Sequence, residues 1–360
     1  MAGGTCGQLL DGSLTMSLNL IHGGADDGPP IAWDFSSNAN AVPMPDALQT
    51  RLLQADRRGY PDPHYTALRQ RLADAVGTTA EAIVPPSGSS EAIRRLTLAA
   101  WLRGIRQVGV PQHAYADYAA AAQALGMDVR YGAASDGWAS SAEPMLLWLC
   151  EPCNPSGTSL PRAFWLDLAA HPQFNQRIIV AVDRAYEPLR LVGLDPIPDD
   201  VAASVWQLWS PNKALGLTGV RAGWVQAPLH DPWGLRETML SLAPSWDVSA
   251  EGVHLLTCWL DADTQQWLSQ AKVTLSGWLI GQQAALSRLG WQHRPTHTPF
   301  FLTRPADGGR TQLADLLADL RQQGIKLRDA ASFGLDGWLR VRAHQPHAQQ
   351  ALIKGIEGSA

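Results

Sequence analysis

Between residues 90 and 226, apolar runs alternate with amphipathic segments, and this alternation constrains the fold more than any other feature. The runs are 106–110, 127–131, 145–149, 178–182, 204–209 and 220–226, and helical patterns cover 90–102, 116–125 and 162–170. Such a βαβ rhythm predicts an α/β fold with a mostly parallel sheet sandwiched by helices. Ligands of these sheets bind beyond the carboxyl ends of the strands, so the residues that follow each run are where chemistry is expected. After about residue 245 the rhythm lapses into a long helical stretch, 262–289, a short run, 300–303, a helix over 311–323 and another run, 338–342. The expected division is a large domain over 45–245 and a smaller α+β domain from 246–360 joined by the Gly-, Pro- and Asn-rich segment 1–44. A chain of 360 residues exceeds one typical domain of about 100–200.

The formal net charge of −5 argues against nucleic acid as the main partner, since a phosphate backbone would be repelled overall. No stretch approaches the ~18 apolar residues of a membrane span. Residues 1–7 carry neither a charged leader region nor a long apolar one, so a cytoplasmic setting is expected. Four cysteines, Cys6, Cys150, Cys153 and Cys258, do not make a disulfide framework in a chain this long. Cys150-Glu-Pro-Cys153 matches a Cys-x-x-Cys pattern, but zinc needs two more ligands and no second pair occurs. No metal is expected, and the motif reads as a loop after 145–149.

Lysine is scarce. Arginine supplies nearly every cation, no lysine precedes Lys213, and only Lys272, Lys326 and Lys354 follow. A guanidinium stays protonated, whereas an amine can lose its proton and condense with a carbonyl as a Schiff base. Lys213 sits in Ser210-Pro-Asn-Lys213-Ala-Leu-Gly-Leu-Thr-Gly-Val-Arg221. A hydroxyl three residues before it and an arginine eight after can bind a phosphate beside a reactive amine.

Other strand ends carry chemistry of the same kind. Asp183 follows 178–182, with Tyr186 three residues on. A carboxylate there is costly without a cation, and a protonated pyridine nitrogen is one such partner; a turn cap is the plainer alternative. Asn154-Pro-Ser-Gly157 follows 145–149, with an amide able to bond a phenolic oxygen or simply to shape a turn. Ser87-Gly-Ser89-Ser90-Glu91 opens a helix, where free amides and hydroxyls serve an anion, an N-cap, or both. Tyr115 lies after 106–110, suited to an aromatic ring or to the core. Tyr60, in Gly59-Tyr-Pro-Asp-Pro63, sits on a rigid turn that suits reaching outward.

Together these motifs resemble the fold-type I pyridoxal-phosphate enzymes of the class I/II aminotransferase group, in the family's order and over most of the chain. The resemblance implies pyridoxal 5'-phosphate as cofactor, with Lys213, Asp183 and Tyr115 as candidate catalytic residues. Lys213 would form the Schiff base, Asp183 would pair with the ring nitrogen, and Tyr115 would stack on the ring. Asn154 and Tyr186 would bond the phenolic oxygen, while Ser89, Ser90, Ser210 and Arg221 would bind the phosphate. Tyr60 would reach that phosphate from a partner subunit, which implies a homodimer with shared sites. Arg340 resembles the family's carboxylate-binding arginine, and Arg342 is expected to help it orient substrate. Within the group, His22-Gly-Gly24, Asp34-Phe-Ser-Ser-Asn38, Tyr60-Pro-Asp-Pro63 and the Tyr115 loop are similar to the L-threonine-O-3-phosphate decarboxylases of cobalamin biosynthesis. That likeness implies a phosphorylated amino acid as substrate, with His22 and Asn38 facing it and His22 near its phosphate. Histidinol-phosphate aminotransferases share much of the scaffold and supply the alternative. Three features depart from the family's pattern. Arg184 stands where an acidic residue is usual, Cys153 replaces a more polar residue, and the loop 111–115 is longer.

Overall fold

Strands β5 (Met145–Cys150) and β6 (Ile178–Asp183) are buried at every one of their six positions, and the rest of the large sheet is arranged around them. The computed structural model describes residues 21–132, 143–305 and 310–358, so Cys6 and residues 1–20 of the opening segment lie outside the described residues. Side chains alternate across a strand with period two. Leu147, Leu149, Val180 and Val182 therefore pack on Trp165 and Leu168 of one helical layer. Leu146, Trp148, Ile179 and Ala181 pack on Ile93, Leu96 and Tyr118 of the other. Each fully buried Leu or Val contributes roughly 1.5–3 kcal/mol relative to exposure, and helices must cover both faces to collect it.

The remaining strands of this sheet are β2 (Ile83–Val84), β3 (Gln107–Val110), β4 (Asp128–Tyr131), β7 (Trp206–Trp209) and β8 (Trp224–Gln226). Their order is β2-β8-β7-β6-β5-β3-β4. Pairings from β4 through β7 are parallel, and β8 runs antiparallel to both its neighbours. The expected run 220–226 shortens to Trp224–Gln226. Residues 220–223 carry no strand, and Gly223 passes so close to Trp209 that an added Cβ would lie 2.7 Å from the carbonyl oxygen. Helices Ser89–Leu102, Ala116–Gln123 and Arg162–Ala170 fall where the apolar pattern puts them. Helices Asp46–Leu53, Thr66–Val76, Ala250–Trp259 and Pro346–Gly358, and the two-residue β2, were not anticipated.

A second, antiparallel sheet has the order β12-β13-β10-β9. Its strands are β9 (Gln292–His293), β10 (Phe300–Arg304), β12 (Arg328–Asp329) and β13 (Leu339–Arg342). Beside it, β1 (Trp33–Asp34) pairs in parallel with β11 (Ile325–Lys326), which ties the opening segment to this sheet. The 27-residue helix Ala262–Arg288 links the cores, with Leu268 and Leu275 in one cluster and Leu279 and Leu286 in another. Among the described residues no helix is long and apolar enough to cross a membrane.

The smaller core buries a histidine. His344 packs on Phe35 at 5.2 Å between ring centroids, and its Nδ1 accepts from the Gln345 amide at 2.9 Å. Burial, and then Arg342, press its pKa down to about 4. The unfolded chain takes up this proton near pH 6.5, so the contribution is full above that pH and is lost as pH falls towards 4. We expect urea midpoints to drop between pH 6.5 and 4 by the equivalent of about 3 kcal/mol, and His344→Asn to remove most of that slope; an unchanged slope in the variant would exclude His344 as the cause.

Candidate active site

A cavity of about 510 Å³ opens where the carboxyl ends of β5, β6 and β7 meet the smaller sheet. Its lining takes Cys150 and Asp183 from the ends of β5 and β6, Ser210 and Lys213 from the turn after β7, and Arg328 and Arg340 from β12 and β13. Of the residues singled out in the sequence, it also gathers Ser89, Ser90, Tyr115, Asn154, Tyr186, Arg221, His22 and Asn38.

Asp183 is buried, and its partners are neutral: Tyr118 donates its hydroxyl to Oδ2 at 2.8 Å and the Ala185 amide donates to Oδ1 at 2.9 Å. Tyr118 was not anticipated from sequence. It lies three residues after Tyr115, one turn along the same helix face, and stacks on Trp148 with ring centroids 5.1 Å apart. Lys213 is half-buried, and its Nζ stands 5.1 Å from the centre of the Tyr186 ring. Asn38 Nδ2 donates to Asn154 Oδ1 at 3.4 Å and to the Tyr186 hydroxyl at 3.5 Å, so three residues distant in sequence meet at one point.

At one end of the cavity the helix Ser89–Leu102 begins, with its first-turn amides free for an anion. Ser90 Oγ lies 3.1 Å from the Tyr115 hydroxyl, and burial, then Asp117, raises the pKa of that phenol. Gly88, at φ +109°, lets the Arg221 guanidinium approach until an added Cβ would lie 2.5 Å from Nη2. Ser210 Oγ donates to Asn212 Oδ1 at 2.8 Å.

The opposite wall is cationic. Arg328 and Arg340 face each other across the β12–β13 pairing, and both are buried. Arg340 donates to Asn154 Oδ1 and to the Ser36 carbonyl, each at 2.6 Å. Arg328 donates to the carbonyls of Asp329 and Ile21 and to Ser332 Oγ. Among the described residues no carboxylate pairs with either. Burial lowers the pKa of Arg340, and burial followed by Arg340 itself lowers that of Arg328 to about 10. Arg328 was missed in the sequence because nothing local separates it from the other arginines.

His22 is exposed and sits 5.8 Å from the Tyr115 ring between centroids. Its strand of chain is tied down by Lys326, whose Nζ reaches the Gly24 carbonyl and Asp26 at 2.5 Å each, and by Arg321, 2.7 Å from Asp26. Lys326 and then Arg321 hold the Asp26 carboxyl down at about 2. Gly23 is required here, since an added Cβ would fall 2.1 Å from the Ser36 carbonyl oxygen.

Two expected site residues lie elsewhere. Arg342 does not line the cavity: its guanidinium donates to the carbonyls of Asp34 at 2.7 Å and Ala39 at 3.1 Å, so it is consumed in fixing the segment that carries Asn38. Tyr60 is 79% exposed and stacked on Trp246, away from its own chain's cavity. Arg184, the unusual neighbour of Asp183, turns away from the cavity to pair with Asp195 and Glu187 beneath it. Cys150, Cys153 and Cys258 are free thiols.

A parallel sheet with a half-buried lysine, a buried carboxylate and an anion-ready helix start at its carboxyl ends defines a fold-type I pyridoxal-phosphate enzyme. The chain belongs to the class I and II aminotransferase family, whose profile matches residues 31–356. It is 28% identical over 348 residues to histidinol-phosphate aminotransferase 2 of Ralstonia nicotianae, covering 90% of this chain and 88% of the relative. Its structure is similar to that of L-threonine-O-3-phosphate decarboxylase from Porphyromonas gingivalis, with a TM-score of 0.75, 24% identity, and 90% and 98% of the two chains covered. It is also similar to the pyridoxal-5'-phosphate complex of Sinorhizobium meliloti histidinol-phosphate aminotransferase, with a TM-score of 0.76, 18% identity, and 92% and 91% covered.

The family's cofactor is pyridoxal phosphate, and polar atoms left without partners fit it. Ser89 Oγ, at the start of the helix that faces the anion end, is buried and unbonded, and Asn38 Oδ1 and the Nε atoms of Arg328 and Arg340 are likewise unbonded elsewhere in the cavity lining. Buried polar atoms rarely stay unpaired unless a ligand or water completes them. Placing a Cβ against Arg221 tests the anion end directly. Gly88→Ala should weaken pyridoxal-phosphate binding to the apoprotein by about tenfold or more, as one charge-assisted contact is lost, measured by absorbance titration; an unchanged dissociation constant would remove Arg221 from the phosphate site.

Proposed function

We propose that this chain is a homodimeric, cytoplasmic pyridoxal-phosphate lyase that decarboxylates L-threonine O-3-phosphate to (R)-1-amino-2-propanol O-2-phosphate, a step of cobalamin biosynthesis. The carrying observation is the pair of buried guanidinium groups, Arg328 and Arg340, with no carboxylate of their own. Burying two adjacent cations is costly unless anions join them. A substrate with both a carboxylate and a phosphate supplies two.

In this reading residues 45–245 form the cofactor-binding domain, and 1–44 with 246–360 form the smaller one. Lys213 holds the cofactor covalently, Asp183 holds a proton on its ring nitrogen, and Asn154 and Tyr186 bond its phenolic oxygen. Tyr115 covers the ring. Ser89, Ser90, Ser210 and Arg221 bind its phosphate, joined by Tyr60 of a second copy. Tyr118 acts through Asp183, fixing the carboxylate by the 2.8 Å hydrogen bond. When bound, the cofactor supplies an electron sink for negative charge on the carbon bearing the substrate amine.

Arg340 and Asn154 orient the substrate carboxylate, and Arg328 with His22 takes the phosphate, with Asn38 between them. Orientation decides which bond at the amine-bearing carbon breaks. Holding the carboxylate in the reactive direction would release CO₂, and Lys213, once the substrate amine had displaced it, would return a proton to that carbon. Arg342 contributes by fixing the Asp34–Ala39 segment rather than by touching substrate.

The second reading, histidinol-phosphate amino transfer, is favoured by the names of the curated relatives. Histidinol phosphate carries a phosphate but no carboxylate, so in that half-reaction only one of the two arginines meets an anion, and a carboxylate arrives only with the oxo acid. Incubation with each substrate separates the readings. CO₂ release from L-threonine O-3-phosphate without any oxo acid supports decarboxylation; oxo-acid-dependent amino transfer from histidinol phosphate, with no CO₂, overturns it.

Arg340→Met gives a further check. It should lower kcat/KM at least a hundredfold, in the range of about 2–5 kcal/mol for losing one partner of a buried charge pair. The melting temperature should hold or rise, because an uncompensated buried cation has gone. A large fall in Tm with kcat/KM preserved would assign Arg340 to the scaffold.

A further inference from the structure

Tyr60 is presented in an unusual way. Its ring lies on that of Trp246, with centroids 4.3 Å apart and planes 21° from parallel, and among the described residues its hydroxyl has no hydrogen-bond partner. Trp246 in turn donates its indole Nε1 to the carbonyl of Pro61 at 3.1 Å, gripping the same turn from a second point. Trp246 has φ +56°, in the left-handed region that bulky residues rarely adopt. Strain of this kind persists only where the surroundings enforce it, and it clusters at functional positions.

The enforcing groups are the next two residues. Asp247 is buried against Arg95, with Oδ2 2.6 Å from Nη2, and its other oxygen accepts from the Tyr65 hydroxyl at 3.1 Å. The Val248 amide donates to the same hydroxyl at 3.1 Å. Tyr65 itself is left-handed, at φ +49°, and ends the turn that begins with Tyr60. Arg95 also pairs with Glu91, the residue that follows Ser90. The turn bearing Tyr60 is therefore tethered through Asp247 and Arg95 to the helix whose start lines the cavity. An aromatic pair held this firmly, yet 79% exposed at Tyr60 and 41% at Trp246, is held for something outside its own chain. The anion end of the cavity is correspondingly open, for Arg221 is exposed.

We propose that Trp246 is a positioning residue that presents the Tyr60 hydroxyl to the cofactor phosphate of a second copy of this chain. The inference rests on the reading of a homodimer with shared sites. It adds that the stack on Trp246, anchored by Asp247 and Arg95, sets where Tyr60 arrives. Trp246 thus serves the partner's site and not its own.

The test is pyridoxal-phosphate titration of the apoproteins, with borohydride trapping to locate the bound cofactor. Tyr60→Phe and Trp246→Ala should each raise the dissociation constant by about tenfold, the loss of one charge-assisted hydrogen bond. The double variant should be no worse than either, and Trp246→Phe, which keeps a stacking ring, should recover most of the affinity. In mixed dimers of Lys213→Ala with Trp246→Ala chains, the intact Lys213 belongs to the Trp246→Ala chain and receives Tyr60 from the other. That site should trap cofactor with wild-type affinity. Weak trapping there would show Trp246 acting within its own chain and overturn the proposal, as would wild-type affinity in Trp246→Ala alongside a defect in Tyr60→Phe. Wild-type affinity in Tyr60→Phe, or a monomer by sedimentation, would sink the shared-site reading and the proposal with it.

Discussion

Complete burial of β5 and β6 is the constraint on which the rest of this structure depends. Six consecutive positions in each of two neighbouring parallel strands admit no exposed side chain, so helices must cover both faces. Polar chemistry is then driven to the strand ends, where the chain first escapes the sandwich. Cys150 and Asp183 close these strands, Asn154 and Tyr186 follow within a few residues, and the turn after β7 delivers Lys213 to the same edge. Apolar packing behind the strands brings these side chains to one edge, where Lys213 stands over the Tyr186 ring and Asn38 joins Asn154 to Tyr186.

The distribution of charge divides the molecule in two. Beneath and beside the cavity, buried ions are paired: Arg184 with Asp195, Arg190 with Glu151 and Glu187, Arg95 with Asp247 and Glu91. Inside the cavity they are not, for Asp183 has only neutral donors and Arg328 and Arg340 only neutral acceptors. Unpaired buried charge opposes folding, and its concentration in one cavity marks where stability is given up for binding. Arg184 belongs to the paired group. The departure from the family's pattern beside Asp183 is thus a matter of scaffold, settled on the far side of the strand from the chemistry.

Legibility in the sequence followed the range of the interaction. Strand and helix periodicity is local, so 162–170 and 262–289 could be read to within a residue or so, whereas two-residue strands such as β2 carry no period at all. Motifs built from neighbours, such as Ser210 to Arg221 or Ser89-Ser90, were visible for the same reason. Arg328 was invisible because its partner Arg340 is brought beside it only by antiparallel pairing. Arg342 was misjudged because its spacing from Arg340 puts both on one face of β13, and only the passage of residues 34–39 decides that its guanidinium ends there.

The sequence by itself determined the sheet, the layers that cover it and the identity of the lone amine at its edge, because each follows from side chains within one turn or one strand of each other. Tertiary structure alone decided which arginines face the cavity, that Tyr118 steadies Asp183 and that Tyr60 points away from its own chain's site. Those outcomes turn on register and close approach between segments that lie from 12 residues apart, as for Arg328 and Arg340, to 308, as for Asp34 and Arg342, and no local pattern encodes a contact of that kind.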